Sequence, residues 1–379
     1  MRGRTTRIAA GIVTAVGTLA FASPAMAGTR IVDDDHLQCP DAQYSSIETA
    51  VQSAAPGDTI QVCAGTYNET VHVDKPSLKL YSTPRQAAVI KAPPTVVLNA
   101  PKAIVDISAP DVRLNDFTIT GPGPGGCDSL EYGVFVGAPT GQAWNGGPDD
   151  IRDNRVTLIR DEPFSGCQNG IGVRVGSRFL QRPAKATVYG NFIDRYQKGG
   201  VVVDGPSTTG DVQQNRIQGA GPTDANAQNG IQLSRGANSD TQQNIVLDNS
   251  YTGPPVFSAT GILLFQETGS GVDVKQNEAT RNDDNLNASD TTGTVIEQND
   301  FYKSSLYDGI FMDSDTSGNL IRVNYLRNNV LFDCQDEGLG NVWQNNDGVT
   351  QNRPGLCAPN GGEKPGRQRD PNRHVQPFL

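Results

Sequence analysis

Beyond its first thirty residues the chain has no segment apolar enough to span a bilayer, no C-x-x-C pair and no cluster of Lys and Arg. The first absence argues against a membrane-spanning body. The second argues against thiol redox chemistry, and the third against nucleic acid, which rewards concentrated positive charge. Histidine is scarce, with only His36, His72 and His374. No composition shift marks a linker that would split off a second domain.

The chain starts with what reads as an export signal. Arg2, Arg4 and Arg7 precede the apolar stretch Ile8 to Ala22, and Ala25 and Ala27 form an A-x-A cleavage pattern. The expected organisation is a signal peptide over 1–27, one domain over 28–357, and a flexible C-terminal tail over 358–379, rich in Pro, Gly and charge. Removing 1–27 takes three of the 31 basic residues and none of the 41 acidic ones, moving the net charge from −10 to −13. Such a surface disfavours a polyanionic ligand unless a basic groove or a bound cation locally reverses the field. An exported chain can form disulfides, and its six cysteines allow 15 pairings. Pairing neighbours gives Cys39–Cys63, Cys127–Cys167 and Cys334–Cys357, read as structural staples.

The middle of the chain repeats. An apolar residue three positions before an asparagine recurs as Ile151…Asn154, Val188…Asn191, Val212…Asn215, Val274…Asn277, Ile296…Asn299, Ile321…Asn324 and Val342…Asn345, and Asn244 joins with Thr241 in the apolar slot. The steps are 37, 24, 29, 33, 22, 25 and 21 residues. This fits coils of three short strands with insertions in some turns. A second phrase alternates with the first: Tyr132–Val136, Asn169–Val173, Gly199–Val203, Asn229–Leu233, Thr260–Leu264 and Asp308–Met312, each led in by a glycine. Stacked copies would form one parallel sheet with rungs about 4.8 Å apart. The asparagines are read as corner residues that tolerate left-handed backbone and stack their amides. The predicted fold is all-β, a single-stranded right-handed parallel β-helix with a short N-terminal capping α-helix. Ser45-Ser46-Ile47-Glu48 matches a capping box, and Ile47, Ala50, Val51 and Ala54 form the apolar stripe. Further short strands are expected at Thr59–Cys63, Thr70–Val73, Leu78–Ser82, Val96–Asn99, Ile104–Ser108 and Asp116–Thr120.

Gly57-Asp58-Thr59-Ile60-Gln61-Val62, followed by Gly65-Thr66-Tyr67-Asn68-Glu69, resembles the first coil of pectin-lyase-like β-helix proteins. With the asparagine repeats, the resemblance covers Tyr44 to Asn345. It implies the fold and leaves the chemistry open, because that superfamily includes lyases, hydrolases, epimerases, esterases and surface proteins. The Gly-His-Gly of polygalacturonases, the Asp-Phe-Ile-Phe-Gly of methylesterases, the Arg-x-Pro-x-x-Arg of pectate lyases and the Asp-Pro-His of alginate epimerases are all missing.

Candidate chemistry therefore comes from position. Counting six residues from the leading glycines, and matching Asp290-Thr291-Thr292-Gly293 to Asp315-Thr316-Ser317-Gly318, stacks Glu267, Asp290 and Asp315 on consecutive coils, with Glu337 a looser member. Asp313 shares their face. Such a column suits a glycosidase carboxylate pair or shared calcium, although Asp-Thr-x-Gly is also ordinary turn chemistry. Asp283 and Asp308, placed before their strands, are the tentative calcium ligands. A column four residues past the glycines joins Arg174, Asp204, Ser234, Phe265 and Asp313. Within it Arg174 and Asp204 are expected to pair, and Arg174 and Arg235 to meet an acidic sugar. Tyr132, Phe135, Phe265 and Phe311 are candidate stacking rings. The resulting expectation is a secreted, monomeric, carbohydrate-active protein gripping an extended polysaccharide, as a hydrolase or lyase. The alternative is a non-catalytic extracellular glycan-binding or structural module.

Overall fold

The computed structural model describes Gly3 and residues 27–94, 100–127, 129–254, 257–269 and 271–357. The chain winds through coils whose paired strands all run parallel. One wall is a ten-stranded sheet of strands beginning with Val71–Val73 and ending with Cys334–Asp336. The other two walls are parallel ladders that merge in the long strands Thr59–Asn68 and Lys79–Lys91 to make a twenty-stranded sheet. Continuous parallel pairing leaves internal edges nowhere but at the two ends.

Inside, the repeat acts as a phase marker. Ile151, Val188, Val212, Thr241, Val274, Ile296 and Ile321 share one register and are fully buried. The last member is Trp343, not Val342, because Ile321 pairs with Trp343. On the ten-stranded sheet, Val134, Val173, Val201, Ile231, Ile262, Leu286 and Ile310 form the matching inner column. A glycine precedes each of these except Leu286, which follows Asn285, and it is mostly a steric requirement. A Cβ on Gly230 would lie 2.2 Å from Val246 Cγ1 and 2.6 Å from the Gly261 carbonyl oxygen.

The asparagines build a buried ladder. Asn191 donates its backbone N–H (2.9 Å) and Nδ2 (3.0 Å) to Asn215 Oδ1, and its Nδ2 also reaches the Ile151 carbonyl (2.8 Å). The same set recurs from Asn154 to Asn346. Two expectations are corrected. The last ladder residue is Asn346, one past Asn345. The left-handed residue is the one before each asparagine: Asp153, Gly190, Gln214, Gln243, Gln276, Gln298, Val323 and Asn345. Asparagine is there for its inward amide, and the preceding residue makes the bend.

At the N-terminal end, the strand Thr29–Val32 pairs with Thr59–Val62, an element the sequence pattern did not reveal. The helix Ile47–Ser53 buries Ile47, Ala50 and Val51. Its N-cap is Ser46, whose Oγ accepts the Thr49 N–H. The expected reciprocal box is replaced by Glu69, which takes the N–H groups of Ile47 and Glu48 and the Ser46 hydroxyl. Asp58 likewise holds Gly28 N–H, Ala55 N–H and the Arg30 guanidinium. Both acids of the Gly57–Glu69 motif thus fasten the first coil. The three disulfides join Cys39 to Cys63, Cys127 to Cys167 and Cys334 to Cys357. The last one ties the end strand of the ten-stranded sheet to Leu356–Cys357, which close over the end of the core. No helix among the described residues is long and apolar enough to cross a membrane. The expected strand Val96–Asn99, the tail and nearly all of the expected signal lie outside the described residues.

Replacing Asn244 with Ala leaves the Asn215 N–H and Nδ2 without their acceptor and strands the buried Val212 carbonyl. The expected loss is roughly 2–4 kcal/mol in urea unfolding. Gln243→Asn, which keeps the left-handed bend, should change stability by less than about 0.5 kcal/mol.

Candidate functional site

The outer face of the ten-stranded sheet carries the polar columns. Its central column runs Asp106, Phe135, Arg174, Val202, Gln232, Leu263, Asn287, Phe311 and Gln335 on consecutive strands. Phe135, Arg174 and Val202 are buried, whereas Gln232 through Gln335 are half-buried. The open stretch covers five strands, or roughly 19 Å at a rung spacing of about 4.8 Å.

Arg174 is not in the column of Asp204, contrary to expectation. It pairs with Val202, because the glycine equivalent to Gly200 is Gly172 and not Gly170. A slip of two residues keeps the face and changes the position. Arg174 still reaches Asp204 diagonally at 2.6 Å. Asp204 is fully buried and also accepts Arg235 Nη1 (2.7 Å), Ser234 Oγ (2.8 Å) and the Arg178 N–H (2.9 Å). Burial pushes its carboxyl up, but Arg174 and these other donors outweigh that and hold it below its ordinary value. Arg235 lies 4.8 Å from the Phe179 ring and 5.4 Å from that of Phe265. Phe179 is 74% exposed; set in a hairpin loop outside the repeat, it had no pattern to flag it. Arg174 approaches the Tyr132 ring and Arg182 that of Phe135. These rings and Ala103, Ile171 and Val202 form a small outer apolar cluster.

The stacked acid column is also revised. Leu264, Ala288 and Met312 are in register, as are Thr268, Thr292 and Ser317. The third turn therefore has one extra residue. Asp290 and Asp315 share a level with Gln266, and Glu267 falls one position away, level with Thr291 and Thr316. Asp290 and Asp315 are exposed, and Asp315 Oδ1 accepts the Asp290 N–H at 2.7 Å. Asp313 accepts the Ser314 N–H. Glu267 instead is buried (2% exposed), and its Oε1 has no hydrogen-bond partner. Burial pushes it to about 8, against the lowering pull of the Ala237 and Gly236 N–H groups.

The acid equivalent to Asp308 is Asp284, one residue after Asp283, since Leu286 pairs with Ile310. Strict alternation breaks before the inward column, as outward Tyr132 beside inward Val134 shows. Asp284, hydrogen-bonded to the Asn287 side chain of the outer column, is assigned to the outer side by the same register, where sequence alternation alone would turn it inward. Asp284 and Asp308 are 2% and 3% exposed. Asp284 Oδ1 accepts the Asp308 N–H (3.2 Å), and Asp308 Oδ1 accepts the Phe332 N–H (2.8 Å). Burial pushes Asp284 to about 6. Burial, then the charges of Asp284 and Glu337, push Asp308 to about 7.

Calcium does not fit Asp283. Its oxygens are filled by the hydroxyls of Ser250 and Ser305 and the N–H groups of Tyr251 and Ala259, all of which aim hydrogens at it. Among the described residues, the sets of three or more acid, thiol or imidazole groups close enough to share an ion are Asp33–Asp35 and the set Cys127, Asp161 and Cys167, whose cysteines are disulfide-bonded. Neither includes Asp283 or Asp308.

A family model described as the right-handed β-helix region matches residues 150–286. Among solved structures, the chain is similar to the Dettilon tailspike protein (14% identity, 77% of this chain, 60% of that one, TM-score 0.53). It is also similar to a GH136 lacto-N-biosidase from Eubacterium ramulus (13% identity, 88% and 66%, TM-score 0.50). The chain thus spans less than two thirds of either neighbour's length. No curated protein matches it significantly. With the parallel coils described above, these likenesses give the chain the right-handed parallel β-helix fold.

Glu267 yields a signed prediction. Its folded value, near 8, lies above its ordinary 4.5, so its stabilising contribution is complete below about pH 4.5 and is lost as pH rises toward 8. In urea titrations across that window, wild type should lose stability relative to Glu267→Gln. A difference that is flat with pH would contradict the assignment.

Proposed function

We propose that this chain is a secreted carbohydrate-active protein that holds an extended glycan along the open half of the ten-stranded face. The observation that carries the reading is the carboxyl pair Asp284–Asp308, on adjacent rungs of that face and raised toward neutrality. Rungs roughly 5 Å apart match the separation of a retaining glycosidase pair. In this reading Asp308, the more readily protonated, donates a proton to the leaving oxygen, and ionised Asp284 attacks or activates water. Phe265 and Phe311 offer stacking faces, and Arg235 with Phe179 forms the rim.

Export rests on the signal pattern of residues 1–27 and on three disulfides, which suit an oxidising compartment. We read the helix Ile47–Ser53 as the cap of the first coil, 28–357 as one domain, 358–379 as its tail, and the protein as a monomer. The second reading, a glycan-binding module without cleavage, is favoured by the near-complete enclosure of Asp284 and Asp308.

Purified protein is to be assayed on plant, algal and bacterial polysaccharides, with and without calcium. Cleavage should fall at least about 100-fold in Asp308→Asn and stay within about threefold in Asp315→Ala, whose carboxylate serves a turn. The rate should also decline above about pH 7, as Asp308 loses its proton. Glycan binding without product would support the second reading; neither binding nor cleavage would defeat both.

A further inference from the structure

Beside the groove lies a pocket of about 650 Å³, bounded by the loop 141–144, the hairpin Ser177–Arg182 and the turn 204–209. The hairpin separates the two: Arg178 lines the pocket, while the adjacent Phe179 stacks on Arg235 at the groove rim. The charged residues of the pocket are Arg178, Arg182, Lys185 and Asp204. Asp204 is already neutralised by Arg174 and Arg235. Arg182 is committed to Asp106 and to the carbonyls of Gly137 and Ala138. Arg178 and Lys185 remain. Both are exposed, and neither side chain forms an ion pair among the described residues. The wall adds Ser207, Thr209, Gln142 and Gln181 as polar donors, and its floor is closed by Trp144, which is packed in the core with its indole N–H on the Gly147 carbonyl (3.0 Å).

In a chain of net charge −10, a concave site whose uncompensated charges are both positive is a local reversal of the field. Two cations with flanking hydroxyls and amides suit an oxyanion carried on a hydroxyl-rich ligand. Arg174 and Arg235, the cations singled out by sequence position, are bound to Asp204 and cannot serve this purpose.

We infer that this pocket is an anchoring site for a saccharide bearing a sulfate or carboxylate group, with Arg178 and Lys185 meeting the anion and the flanking hydroxyls and amides the sugar. The inference rests on the carbohydrate reading for its ligand class and is independent of the acid pair. The test is calorimetry on the whole protein with galactose 6-sulfate, galacturonate, galactose and inorganic sulfate. Galactose 6-sulfate or galacturonate should bind, galactose should bind at least about tenfold more weakly, and added NaCl should weaken the binding. Arg178→Ala combined with Lys185→Ala should lose at least about tenfold, with an unchanged unfolding midpoint. Asp308→Asn should bind like wild type, so failure of the groove chemistry is read separately. Unaltered binding by the double variant, no binding of either anionic sugar, or inorganic sulfate binding as tightly as the sugars would each overturn the assignment.

Discussion

The fold depends on the amide column that runs from Asn154 to Asn346. Each inner asparagine, from Asn191 to Asn324, spends all its side-chain hydrogen-bonding capacity on the winding. Its oxygen receives the N–H and amide of the coil below in sequence order, and its nitrogen reaches a strand carbonyl and the next amide. In a buried setting an unmade bond of this kind costs about 1–3 kcal/mol, so the column penalises any coil that is out of step. Gln is too long for the position and Ser lacks the second donor. The ladder therefore does for register what the apolar slots do for burial, and both act at the same rung.

That constraint also locates the chemistry. Columns on the outer face are aligned because the inner amides are aligned, so the closeness of Asp284 to Asp308, or of Asp204 to Ser234, follows from pairing in the wall behind them. Burial then sets the protonation. Carboxyls supplied with cations, such as Asp204, remain charged, while Asp284, Asp308 and Glu267 lack a cation and are raised. An acidic chain can in this way carry buried acids without a matching set of buried bases.

The winding, the asparagine series and the three disulfide pairings were legible in the chain, because each leaves a local spacing that survives insertions. The side-chain columns were less legible, for specific reasons. Arg174 was displaced by two because Gly170 and Gly172 both look like the leading glycine. Glu267 was grouped with Asp290 and Asp315 because an extra residue in the Met312–Ser317 turn is invisible to counting. Asp284 was missed in favour of Asp283 because the bend at the glycine column interrupts alternation. Phe179 and Arg178 belong to a hairpin with no repeat to announce them, and Lys185 opens the strand Lys185–Tyr189, where only the neighbouring hairpin makes it part of a pocket.

Since the strands of each coil pair only with those of the coil before and the coil after, the outer surface is quantised. Turns can swell without disturbing the wall, as the hairpin Ser177–Arg182 does, whereas the strands change only by whole turns of the winding. A chain of this design lengthens its working surface by duplicating a coil, and it acquires new side walls by enlarging corners. The pocket under the hairpin and the acids on the sheet could then diverge separately, because one is made of corner and the other of rung.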